Sequence, residues 1–176
     1  MYIIDMPQFP LDVRAWSTQH VDNMSHAVGN ACIWKDPWYT VMLVRGPNRR
    51  RDFHTNPTPE IFYQVTGTMT LRVMCSAEHA YEWKKTERDI VIGPGELYIL
   101  PPGVPHQPRR PKDSLGIVIE HTRQPHELDA FEWYCPVCNR RMHRVESHMK
   151  DLGAQLTRML VTEGSQAVCV PCRSKL

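Results

Sequence analysis

Gly95-Glu96-Leu97-Tyr98-Ile99-Leu100-Pro101-Pro102-Gly103-Val104-Pro105-His106 is the stretch that decides the fold. Leu97 to Leu100 read as a short strand, and the proline-rich run after it cannot continue as a central strand. It is a rigid bend that delivers His106. Upstream, Asp52-Phe53-His54 is followed by Glu60 six residues after the histidine. The two regions, each expected to be a β-hairpin, contribute two imidazoles and one carboxylate. That donor set holds a divalent iron and leaves one face of it open for substrate and oxygen. The spacing is specific: six residues separate Glu60 from Gly67, and five separate Gly95 from Pro101-x-Gly103-x-x-His106.

Around these motifs the chain reads as many short strands. Ala31–Trp34, Tyr39–Val44, Phe62–Val65, Met69–Val73, Asp89–Ile92 and Leu97–Leu100 are rich in β-branched and aromatic residues. Arg50 to His54 reads as extended, which places Arg50, Asp52 and His54 on one face by the period of two. Thr66-Gly67-Thr68 is a hairpin signal between two of the strands. In Ser114–Glu120, Leu115, Ile117 and Ile119 face one way, and Gly116, Val118 and Glu120 the other. Fifteen prolines against nine glycines favour turns over long helices. Short strands joined by Gly/Pro turns predict a mainly β, double-sheet barrel of the jelly-roll type over residues 1–130. Leu11–Trp16 is read as the start of a short helix. From Phe131 the pattern changes, and a small metal-binding extension is expected over 131–176. Apolar residues at 3–4 spacing predict a helix within it, over Val145–Leu160.

Size and composition bound the function. At 176 residues there is room for one well-buried core plus an appendage. A net charge of +2 does not suggest nucleic acid, and no apolar run approaches the ~18–20 residues needed to span a bilayer. The first residues lack the basic and apolar regions of a secretory signal, so a cytoplasmic address and no membrane contact are expected.

Six cysteines occur. Cys32 and Cys75 stand alone in apolar surroundings and read as small buried hydrophobes. Cys135-Pro-Val-Cys138 and Cys169-Val-Pro-Cys172 form a paired CxxC set, which in a reducing compartment is a tetrahedral four-thiolate metal site. Its occupant is iron or zinc, in a structural role.

The arginines sharpen the substrate class. Arg50 precedes His54 by four residues and Arg110 follows His106 by four, so each shares a face with its histidine if the segments are extended. Two guanidinium groups facing a dry cavity require an anion, and a substrate carboxylate gripped in bidentate fashion supplies one. Arg49, Arg51 and Arg109 then point outward. Asp52 is expected either to orient an imidazole or to bind the metal itself. Glu120, on the inward face, is a candidate general base.

The two-part spacing is the motif signature of the cupin family. More closely, Gly46 through Glu60, then Leu100-Pro101-Pro102-Gly103-Val104-Pro105-His106, then Phe131-Glu132-Trp133-Tyr134-Cys135 resemble 3-hydroxyanthranilate 3,4-dioxygenases of the fungal and bacterial kind with a rubredoxin-like tail. The resemblance runs from about Val28 to Cys172. It implies ring cleavage of a small aromatic amino acid with Fe(II) and O2, giving 2-amino-3-carboxymuconate semialdehyde, a precursor of quinolinate and NAD. It further implies a homodimer. By motif, His54, Glu60 and His106 hold the iron, and Arg50 and Arg110 clamp the carboxylate. Glu120 handles the hydroxyl proton, and Asn30 lines the pocket. Departures from the usual pattern, such as Arg45 before Gly46-Pro47-Asn48 and Gln107 after the second histidine, leave the ring substituents open. A paralogue acting on a substituted 3-hydroxyanthranilate is one alternative. Others are a non-catalytic metal cupin that binds an aromatic acid, or a ribbon protein that binds nucleic acid through Arg140, Arg141 and Arg144.

Overall fold

The computed structural model describes residues 10–24, 29–48, 50–76, 85–149 and 169–173. Among them, eleven strands form two antiparallel sheets. In chain order these are β1 (Asn30–Lys35), β2 (Tyr39–Arg45), β3 (Phe53–Thr55), β4 (Glu60–Thr66), β5 (Met69–Ser76), β6 (Lys85–Ile92), β7 (Leu97–Leu100), β8 (His106–Arg109), β9 (Leu115–His121), β10 (Asp129–Tyr134) and β11 (Arg141–Ser147). One sheet has the order β1-β2-β9-β4-β7 and the other β11-β10-β3-β8-β5-β6. This is the expected cupin barrel.

The core lies between the sheets. Met42, Val44, Phe62, Leu71, Val73, Leu100 and Val118 pack into one buried cluster. Strand β9 shows how the alternation reads: Gly116, Val118 and Glu120 are buried while Ile117 and Ile119 are only half-buried. The face carrying the glutamate is therefore the inner one. Outside the five-stranded sheet, α1 (Val13–Gln19) covers Leu43 and Leu115 with Trp16. Its start is fixed by Asp12, whose carboxylate accepts the Arg14 and Ala15 amides at 3.0 Å.

Two expectations change here. The turn at Thr66-Gly67-Thr68 is not a hairpin, because β4 and β5 belong to different sheets. Gly67, with φ of +63°, carries the chain across the barrel, and a Cβ there would meet the Ser114 Cα at 3.0 Å. Gly93-Pro94-Gly95 makes a second crossing, from β6 to β7. The helix expected from Val145 is also corrected at its start. Val145 to Ser147 lie in β11, which pairs with β10 with Val145 opposite Phe131. An uncovered sheet edge there recruits a strand, and that tertiary demand overrides the local pattern. Residues 150–160 of that expected helix lie outside the described residues. The division placed at residue 130 falls inside β10, which pairs with β3 on one side and β11 on the other.

Candidate active site

His54 and His106 face one another in the β3–β8 register, and Glu60 opens β4 on the opposite sheet. So the three come from both walls of the barrel, not from two hairpins. All three are buried, with one ligating atom of each within 4.8 Å of the others. The rings are oriented by what holds their other nitrogens. His54 Nε2 donates to Asp129 Oδ1 at 2.7 Å, leaving Nδ1 with its lone pair. Burial pushes His54 below its ordinary pKa and favours the neutral ring. Phe131 stacks on that ring at 5.0 Å and fixes its plane. His106 Nδ1 donates to the Val104 carbonyl at 3.0 Å, which turns Nε2 toward the other two residues. That nitrogen lies 2.9 Å from Glu60 Oε2, which gains no hydrogen bond there. Burial alone would lower His106, yet the Glu60 carboxylate holds it above its ordinary value, so without a metal Nε2 favours a proton whose place a divalent cation would take. Lone pairs converging on one buried point are the donor set a divalent cation joins.

Asp52 does not orient an imidazole. It is fully buried and accepts a fork from Arg50, whose Nε donates at 3.0 Å and whose Nη2 makes a second, short contact. The carboxylate that holds His54, a candidate ligand, is Asp129, which the sequence reading missed. It lies seventy-five positions beyond His54 in the chain, and no spacing signal marks it.

Arg50 and Arg110 both line one narrow cavity with His54, Glu60, His106 and Glu120. Arg110 is the more exacting of the two. It is 3% exposed, donates through Nη1 to Gln64 Oε1 at 3.1 Å, and leaves Nε without a partner. Burial lowers it to about 10. Asn48 holds its backbone, accepting the Arg110 amide at 2.8 Å. Gly116 makes room for the guanidinium, since a Cβ there would sit 2.7 Å from Arg110 Nη1. Asn30 reaches the same cavity from β1. The outward reading of its neighbours holds where it is described: Arg51 and Arg109 are exposed, while Arg49 lies outside the described residues.

Glu120 opposes Glu60 in the β9–β4 register. Its Oε2 accepts from Arg123 at 2.7 Å and from Asn56 at 3.3 Å, and its buried Oε1 has no partner. Burial, and then the Glu60 charge, push the carboxyl up to about 8, against the pull of Arg123.

The sequence profile of the 3-hydroxyanthranilic acid dioxygenase family matches residues 6–163. The chain belongs to that family. It is 43% identical over 134 residues to a 3-hydroxyanthranilate 3,4-dioxygenase of Xanthomonas campestris pv. campestris (strain B100), covering 76% of this chain and 71% of the relative. It is 38% identical over 152 residues to the enzyme of that name from Candida albicans, covering 86% and 84%. Among solved structures it is similar to a cupin-2 domain containing protein from Shewanella frigidimarina (TM-score 0.43, 19% identity, covering 59% of this chain and 90% of that one). The 3-hydroxyanthranilic acid dioxygenases are ring-cleaving non-haem iron enzymes, and the buried His/Glu/His group of this chain is an arrangement that could hold a metal ion.

This family member also carries the four-thiolate cluster. Sulfurs of Cys135, Cys138, Cys169 and Cys172 lie within 4.8 Å of one another, the first pair after β10 and the second opening α2 (Val170–Arg173). None is in a disulfide. Burial would raise Cys135, but amide donors from Cys169, Val137 and Cys138 lower it to about 6, while the neighbouring sulfurs push Cys172 up to about 12, so one sulfur of the group sheds its proton readily and the crowding of the four resists further loss. Beside it, Arg141 and Arg144 both pair with the buried Glu132, so these two cations serve the fold of the tail.

Proposed function

We propose that the chain cleaves the ring of 3-hydroxyanthranilate with O2, inserting both oxygen atoms to give 2-amino-3-carboxymuconate semialdehyde. His54, Glu60 and His106 would hold Fe(II), and the four cysteines a structural iron or zinc ion. Iron held there would supply an open coordination face on which an aromatic substrate and O2 are brought together for a four-electron ring oxidation.

The observation that carries this reading is Arg110, a dry, half-satisfied guanidinium beside a His/Glu/His group. A buried cation with an unpartnered N–H is costly until an anion meets it. The substrate carboxylate fills that place, and Arg50, held by Asp52, presents a second guanidinium from the segment before β3, the strand that pairs with β8. Met42, Val44, Phe62 and Val118 give the ring an apolar seat. Glu120 Oε1 is bare, and a cation held by Glu60 would offset the charge that helps to raise Glu120, leaving a carboxylate that accepts the proton of the ring hydroxyl. A homodimer belongs to this reading through the family resemblance alone, and a cytoplasmic address is proposed with it.

The test is oxygen uptake by anaerobically iron-loaded protein given 3-hydroxyanthranilate, with the product identified by mass. Uptake of one O2 per ring opened is expected. Confirmed barrel iron without uptake would overturn the substrate assignment.

A further inference from the structure

We propose that Arg123 is a positioning residue that ties the metal ligand His54 to the proton-handling Glu120; the role rests on the dioxygenase reading of the site. Arg123 follows β9 in the segment leading to β10, and its side chain is 6% exposed. Its guanidinium is spent on four short bonds. Nε donates to Asp129 Oδ2 at 2.8 Å and Nη2 to Asp129 Oδ1 at 2.6 Å. Nη2 also donates to Glu120 Oε2 at 2.7 Å, and Nη1 to the His121 carbonyl at 2.7 Å. One planar fork thus grips both carboxylates at once.

Each grip has a chemical consequence. Asp129 Oδ1 also accepts from His54 Nε2. With Arg123 holding Asp129 as an ionised acceptor, the His54 proton stays on Nε2, and Nδ1 is left to point at the metal site. At Glu120, Arg123 and Asn56 fill Oε2, so only Oε1 is left to meet substrate. Arg123 therefore selects both the ligating nitrogen of His54 and the working oxygen of Glu120. It also sets positive charge against two carboxylates that sit near a third, Glu60, in a dry core. A lysine keeps the charge but lacks the planar fork, so it can satisfy one carboxylate and not both.

The test compares wild type with Arg123→Lys, Arg123→Met and Asp129→Asn. One readout is Mn2+ binding followed by electron paramagnetic resonance, because Mn2+ suits nitrogen and oxygen donors and not the thiolate tail. The other is kcat and KM for 3-hydroxyanthranilate. Arg123→Met is expected to weaken Mn2+ binding by about tenfold or more. It should lower kcat with little change in KM, since Arg50 and Arg110 are untouched. Arg123→Lys should recover part of the Mn2+ affinity. A merely structural ion pair would lower the melting temperature but leave Mn2+ affinity and kcat at wild-type values, and that result overturns the proposal. Should Arg123→Met fail to fold, Asp129→Asn decides: wild-type Mn2+ affinity in that near-isosteric variant is equally fatal. Wild-type protein that is inactive on 3-hydroxyanthranilate would sink the substrate reading alone, because the Mn2+ arm does not depend on turnover.

Discussion

Gly116→Ala removes no functional group, yet it should act on the substrate carboxylate site. The added methyl would lie 2.7 Å from Arg110 Nη1, 2.9 Å from Gln64 Oε1 and 3.1 Å from the Tyr63 carbonyl oxygen. The Tyr63 oxygen is strand backbone and cannot retreat. The Arg110 and Gln64 side chains are both buried, so the guanidinium has to swing out of its seat. Overpacking of this kind costs about 1–3 kcal/mol of stability. Displacing the guanidinium also forfeits a charge-assisted contact with substrate of about 1.5–3 kcal/mol, or roughly 10- to 150-fold in affinity. Oxygen-electrode kinetics on the iron-loaded variant should show KM raised within that range, with kcat reduced far less. A thermal melt run in parallel separates binding loss from unfolding. A wild-type KM in a folded variant would refute the placement of Arg110 and, with it, the anion argument.

His54→Ala should lose the barrel metal while the tail keeps its own. Elemental analysis would then show about one metal per chain fewer than wild type, and full retention would contradict the ligand assignment. Cys169→Ser breaks the four-thiolate set and should release the tail metal with a clear fall in melting temperature, because binding energy at such sites is folding energy. An unchanged melt would show the tail to be independent of the barrel. In protein stripped of barrel metal, Glu120 keeps its proton up to about 8 when folded but gives it up near 4.5 when unfolded. Its contribution to stability is therefore complete below pH 4.5 and is lost as pH rises through 8, by at most about 1.4 kcal/mol per pH unit. Urea unfolding of wild type and Glu120→Gln from pH 5 to 9 should show that slope in wild type alone; parallel curves would remove Glu120 as its source.

The sequence by itself determined whatever depends on local period and spacing. Alternation in Ser114–Glu120 assigned Glu120 to the inner face, and β9 has that face buried. The spacing of His54, Glu60 and His106 singled out three residues whose side chains converge, because a strand and a proline-locked bend present their side chains in a fixed direction. The paired CxxC knuckles were legible for the same reason. Only the tertiary structure decided where Gly67 sends the chain, since a turn residue sets a backbone angle and not whether the next strand pairs at home or crosses to the other sheet. It alone turned Val145–Ser147 into a strand, because the exposed edge of β10 required a partner. It alone chose which carboxylate holds which cation. Asp52 lay near His54 in sequence and went to Arg50, whereas Asp129 came from a strand seventy-five residues on. Gln64 met Arg110, and Arg123 met both Asp129 and Glu120, through the order and register of strands in the sheets. Such contacts have no local signature, because buried polar groups take whichever partner the packed strands bring within hydrogen-bond reach.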